Sequence, residues 1–158
     1  MCIRDRPSFG LGIVEFKDRC EPTLKLRKFD IRPMNASNLN QAQRFVDAMS
    51  AGGQDCNKDN PENMAEAIDT ALAMSLRPEA DIKLIVVISD NPPYPELESS
   101  VLSKGESFKN QGNGYRFSTV STGTDGDDFL ENLANVGGGQ FVSGSRSFST
   151  TMLLALAE

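Results

Sequence analysis

Ile82 to Pro93 reads I-K-L-I-V-V-I-S-D-N-P-P, and the fold turns on these residues. Leu84 to Ile88 is apolar without alternation. A short β-branched run bounded by turn residues predicts a strand buried on both faces, as in a parallel sheet. Ser89-Asp90-Asn91-Pro92-Pro93 stops it sharply. Asp90 therefore sits at the carboxyl end of the most apolar strand, where ligands gather in an open parallel sheet.

Upstream, Met64, Ala67, Ile68, Ala71, Leu72 and Leu76 trace one helical face. Pro61 suits the first helical position, Asn60 the cap, and Arg77-Pro78 the close. Leu39, Ala42, Val46 and Met49 predict an earlier helix, capped by Ser37 or Asn38 and stopped before Gly52-Gly53. Leu24, Leu26 and Phe29 alternate with Lys25, Arg27 and Lys28, which reads as a half-exposed edge strand. Phe9 to Phe16 (F-G-L-G-I-V-E-F) is a strand ended by Lys17-Asp18-Arg19. Residues 1–8, opening M-C-I-R-D-R, lack periodicity and read as a leader outside the fold.

Downstream, Leu97, Val101, Leu102 and Phe108 mark a helix weakened by Gly105. Tyr115 to Ser121 is a strand. Thr124 or Asp125 caps a helix through Phe129, Leu130, Leu133 and Ala134, and Gly137 to Gly139 end it. Gln140 to Val142 is a short strand, and Thr151 to Ala157 a last helix. Alternating helix and strand imply parallel βα units with helices on both faces, in one domain over 9–158.

The chain has 158 residues, 39 % of them hydrophobic, and a formal charge of −6 from 16 basic and 22 acidic side chains. That suffices for one core. The absence of histidine excludes Ser-His-Asp, Cys-His and His-ligated metal chemistry from this chain. Its acidity argues against nucleic acid as a partner. No apolar run is long enough to span a membrane. Cys2, Cys20 and Cys56 are odd in number and irregular in spacing, so they read as free thiols of a reducing compartment, which favours the cytoplasm.

Asp90 supports two readings equally: a ligand for a hard cation such as Mg²⁺ or Mn²⁺, or a turn cap before Pro92-Pro93. The loop Gly52-Gly53, with Asp55 and Asp59, is the second candidate. Its glycines allow close backbone approach, and one aspartate suffices to cap the following helix. Asp18 reads as a turn residue at a strand end. Asp125, Asp127 and Asp128 suit a helix N-terminus. Gly137-Gly138-Gly139 follows a helix and precedes a strand, the reverse of a phosphate cradle. No nucleophile–base pair emerges, and Cys56 has no base to name.

Three blocks together resemble a von Willebrand factor type A domain of the intracellular, alpha-kinase-associated kind. They are F-G-L-G-I-V-E-F-K-D (9–18), G-G-Q-D-C-N-K-D-N-P-E-N (52–63) and I-V-V-I-S-D-N-P-P (85–93). The resemblance implies a three-layer α/β/α sandwich with a mostly parallel central sheet. It also implies a non-catalytic protein-binding role, with a divalent cation completing its shell on a partner's acidic residue. Asp90 matches the aspartate after the family's fourth strand, and Asp59 or Asp55 matches the second-loop position. Asn91, Asp18, Gly52 and Gly53 fall in the surrounding ligand-binding loops. The family's Asp-x-Ser-x-Ser does not occur in this sequence, so the first strand and first helix are expected to be missing before Phe9. In the family order, 3-2-1-4-5-6, that strand separates those at Phe9 and Ile82. Two other expectations stand beside this one. The chain is a regulatory module of an alpha-kinase or ATPase-linked enzyme, or a small α/β hydrolase or phosphatase using Asp90.

Overall fold

The computed structural model describes residues 9–18, 26–49, 62–123 and 126–143. They form a mixed α/β arrangement: strands β1 (Gly10–Phe16) and β2 (Leu26–Pro33), helices α1 (Ala36–Asp47) and α2 (Met64–Leu72), then β3 (Lys83–Ser89). A short 3₁₀ turn at Pro95–Leu97 leads into α3 (Glu98–Lys109), followed by β4 (Tyr115–Ser121), α4 (Asp127–Gly137) and β5 (Gly138–Ser143).

The strands make two sheets among the described residues. β3, β4 and β5 are parallel and lie in that order. β1 and β2 form an antiparallel pair. On the parallel sheet, odd-numbered residues face the helices. Ile85, Val87, Tyr115, Phe117 and Phe141 belong to or pack on one cluster with Met64 and Ile68 of α2, Val101 and Phe108 of α3, and Leu130 and Leu133 of α4. Phe108 meets Tyr115 and Phe117 edge-on, at ring separations of 5.1 and 6.2 Å. Phe16 of β1 packs against the same cluster, and α2 also reaches β1, where a Cβ on Gly12 would meet Met74 Sδ at 2.7 Å.

β3 differs from its expectation. Its sequence predicts a strand buried on both faces; it is an edge of the parallel sheet among the described residues. Leu84, Ile85, Val86 and Ile88 are half-buried and only Val87 of the apolar run is buried. β1 and β3 do not pair with each other. The pairing of β1 with β2 is antiparallel because only a short connection separates them, too short for a crossover.

Several boundaries move. The cap of α1 is Asn35, whose Oδ1 accepts from the Asn38 N–H at 2.9 Å, where the sequence favoured Ser37 or Asn38. Its apolar stripe is mostly uncovered: Ala42 is buried, while Leu39 and Val46 are exposed. α1 is held instead by Arg27 of β2, which stacks on the Phe45 ring at 4.7 Å and donates to Ala48 O. α2 ends at Leu72, before Leu76 and Arg77-Pro78. Gly126 occupies the cap position of α4. The leader at 1–8, the caps Asn60, Thr124 and Asp125, Pro61, and the last helix at 151–157 lie outside the described residues.

The triple glycine is structural. Gly138 has φ +68° and ends α4 in the left-handed conformation that disfavours side chains. A Cβ on Gly137 would lie 2.3 Å from Phe117 Cβ, so α4 approaches β4 as closely as its backbone permits.

Candidate functional site at the strand ends

The carboxyl ends of β1 and β3 come together. Asp18 lies two residues beyond β1, half-buried, and the hydroxyl of buried Tyr94 donates to its Oδ1. Asp90 follows β3 directly and is exposed. The turn after it is fixed from several sides. Ser89 Oγ donates to Asn91 O at 2.8 Å, and the Thr122 N–H donates to Ser89 O at 2.9 Å. Ser121 Oγ donates to Gly123 O at 3.1 Å. A Cβ on Gly123 would stand 2.5 Å from Asp90 O, and one on Gly126 would stand 2.9 Å from Asn91 C. These two glycines let the backbone at Gly123 and at Gly126 lie close against the Asp90 turn.

Glu62 is the third carboxyl group. Its N–H donates to Pro92 O at 3.0 Å, and an isolated parallel bridge pairs it with buried Pro93. This docks the chain entering α2 onto the Asp90 turn. Burial first, then the negative charges of Asp90 and Asp18, push the Glu62 carboxyl up to about 7. Sequence reading took Glu62 only as a neighbour of Pro61 and missed it. The one signal was its place in the 52–63 block.

Asp90 and Asn91 after β3 and Asp18 after β1 thus lie at one end of the two sheets. Asp55, Asp59, Gly52 and Gly53 lie outside the described residues. Among the described residues, no three acidic or sulfur side chains are grouped so that they could together hold a metal ion. The three carboxyl groups present, Asp18, Glu62 and Asp90, offer oxygen donors only. Asp90 is exposed, while Asp18 is engaged by Tyr94. No described helix is long and apolar enough to cross a membrane. No protein-family model matches the chain, and no curated protein matches it in sequence.

Proposed function

We propose that the chain is part of a von Willebrand factor type A domain, a non-catalytic three-layer α/β/α module that recognises a protein ligand at the carboxyl ends of its strands. The observation that carries this reading is the meeting of Asp90, Glu62 and Asp18 at the ends of β1 and β3. Burial first, and the neighbouring Asp90 and Asp18 carboxylates second, raise the Glu62 pKa, and a cation at this strand end would relieve the second contribution. On this reading Asp90 holds Mg²⁺ or Mn²⁺ with Asp59 or Asp55, and the ion's open position accepts an acidic side chain of the ligand. Asn91 and the Gly52-Gly53 loop surround that position. The family's strand bearing Asp-x-Ser-x-Ser belongs between the counterparts of β1 and β3, two strands that do not pair with each other here. Such a module also fits as the regulatory part of a larger enzyme.

Isothermal titration of Mg²⁺ and Mn²⁺ into this chain, and into a longer parent chain carrying that strand, tests the reading. Saturable heat lost in Asp90→Ala is expected from the longer chain. No heat, or heat unchanged by Asp90→Ala, overturns the metal role.

Glu62 favours one rival. A carboxyl group pushed up to about 7 beside a second carboxyl group, Asp90, is the arrangement of a general acid with a nucleophile or base. A hydrolase or phosphatase predicts turnover of p-nitrophenyl phosphate or p-nitrophenyl acetate by this chain alone, lost in both Glu62→Gln and Asp90→Asn. The binding module predicts none.

A further inference from the structure

Helix α1 is attached to the molecule differently from the other helices. α2, α3 and α4 each bury three or four residues, and all three belong to the central apolar cluster. α1 contributes nothing to that cluster, and of its twelve residues only Ala42 is buried. Leu39 is 55 % exposed and Val46 45 %. Burial of an apolar face is therefore not what holds this helix.

Two arginines of β2 hold it instead. At the C-terminus of α1, the Ala48 and Met49 N–H groups donate to Arg44 O and Val46 O. Arg27 donates to two further carbonyls there, Ala48 O at 3.1 Å and Phe45 O at 3.5 Å, and stacks on the Phe45 ring. Its cation thus meets orphan carbonyls at the negative end of the helix dipole. Arg32 donates to Gln41 Oε1 at 2.8 Å, and Asn38 Nδ2 donates to Pro33 O at 2.7 Å. The one aromatic tie is Phe29 of β2 against Phe45, with ring centroids 6.1 Å apart. Most of these contacts lie at the surface, where water competes for each group.

Arg27 is itself fixed from the other side. Its Nε lies 3.2 Å from Glu15 Oε2 of β1, whose side chain is 11 % exposed, and the two residues are cross-strand partners. The guanidinium is thereby a post preset on the hairpin, independent of α1.

We propose that α1 is a detachable flap latched by Arg27. It leaves the β1–β2 hairpin as a unit while the parallel sheet and its helices stay folded, and it closes when Phe45 and the helix C-terminus return to the waiting guanidinium. Opening uncovers the Phe29 ring, which is buried when the flap is shut. A twelve-residue helix is marginal alone, and one that buries a single side chain opens at a small fraction of the global cost. The latch stands near the carboxyl end of β1, with Glu15 three residues before Asp18. The inference does not rest on the binding role proposed for Asp90.

The test is native-state hydrogen exchange of the full chain, followed by NMR in low concentrations of urea. The Ala42, Phe45 and Val46 amides are expected to exchange at least about a hundredfold faster than those of Leu133 and Ala134 in α4, with a weak urea dependence that marks a small opening. Arg27→Gln is expected to speed the α1 amides about tenfold further and to leave α4 unchanged. Phe45→Leu keeps an apolar side chain but removes the ring beneath the guanidinium, and is expected to act in the same direction. Val46→Gln, on the uncovered face, is expected not to speed α1. One common urea dependence for α1 and α4 overturns the proposal. So do α1 rates that are unchanged, or that rise only in step with α4, in both Arg27→Gln and Phe45→Leu. Faster α1 exchange in Val46→Gln overturns it too, since that face would then be holding the helix.

Discussion

Glu62 shows how one residue reports its surroundings. Its carboxyl group is moved from 4.5 to about 7. The folded state therefore keeps a proton that the unfolded chain releases between those values. The unfolded state binds fewer protons in that window, so stability falls as pH rises from about 4.5 to about 7 and is level beyond. Because the group is half-exposed, solvent screening leaves an effect on the order of 1 kcal/mol. Glu62→Gln is expected to remove that slope, leaving stability near pH 4.5 unchanged and raising it at pH 8. Urea denaturation at both pH values checks this, and an identical slope in both proteins would place its origin in other groups. Tyr94→Phe is expected to act differently. It frees Asp18 from its donor and leaves a buried ring without its tie to β1, for a loss of about 1 kcal/mol in the same denaturation assay. Asp90 was legible because a local signal, an apolar run broken by Ser-Asp-Asn-Pro-Pro, sets its position. Glu62 and Tyr94 were not, because their roles depend on contacts with sequence-distant Pro93 and Asp18.

Among the elements, the helices were read by their apolar faces and misjudged at their ends. Asn35, Ser37 and Asn38 can all cap, and the choice falls on Asn35 because its Oδ1 reaches the Asn38 N–H while Asn38 Nδ2 turns back to Pro33 O. That geometry depends on how β2 delivers the chain, which periodicity does not encode. Strand β4 was legible to the residue, since Tyr115 to Ser121 is bounded by Gly114 on one side and Thr122-Gly123 on the other. Gly105 looked like a weakness in α3. In place it is buried at the α3–α4 contact, where a Cβ would meet Leu133 Cδ1 at 2.8 Å. Gly137 is the stricter case, because its neighbour is Phe117 Cβ at 2.3 Å and Phe117 O at 3.1 Å. A side-chain tip can swing aside, but a strand backbone cannot. Gly137→Ala is therefore expected to destabilise by about 2 kcal/mol, and Gly105→Ala by less, since helix propensity offsets part of the crowding. Denaturation midpoints of the two variants check the order, and equal losses would mean that α4 shifts freely over β4.

For the whole molecule, the informative feature is the edge of β3 that pairs with no strand among the described residues. Its Leu-Ile-Val-Val-Ile run has the composition of a strand buried on both faces, and the sequence reading followed that composition. Composition describes the surroundings a strand suits, whereas its neighbours are set by which other strands are available to pair. The direction of each β3 amide follows from two bonds. The Lys83 N–H reaches Gly114 O, and Ser89 O receives the Thr122 N–H, so the backbone N–H and C=O groups of odd-numbered residues point toward β4. Successive backbone groups on a strand point to opposite edges, so the N–H groups of Leu84, Val86 and Ile88 point to the edge that carries no strand among the described residues. An apolar edge of this kind invites pairing with another chain. Hydrogen exchange followed by NMR is expected to alternate along β3, with Ile85 and Val87 protected and Leu84, Val86 and Ile88 exchanging at least about tenfold faster. In a longer parent chain whose added strand lies between β1 and β3, the second set becomes protected as well, and the alternation disappears. Uniform protection in the present chain would instead mean that the edge is already paired. Dilution then separates the cases, because protection supplied by a second copy weakens as the protein concentration falls, and protection supplied within one molecule does not.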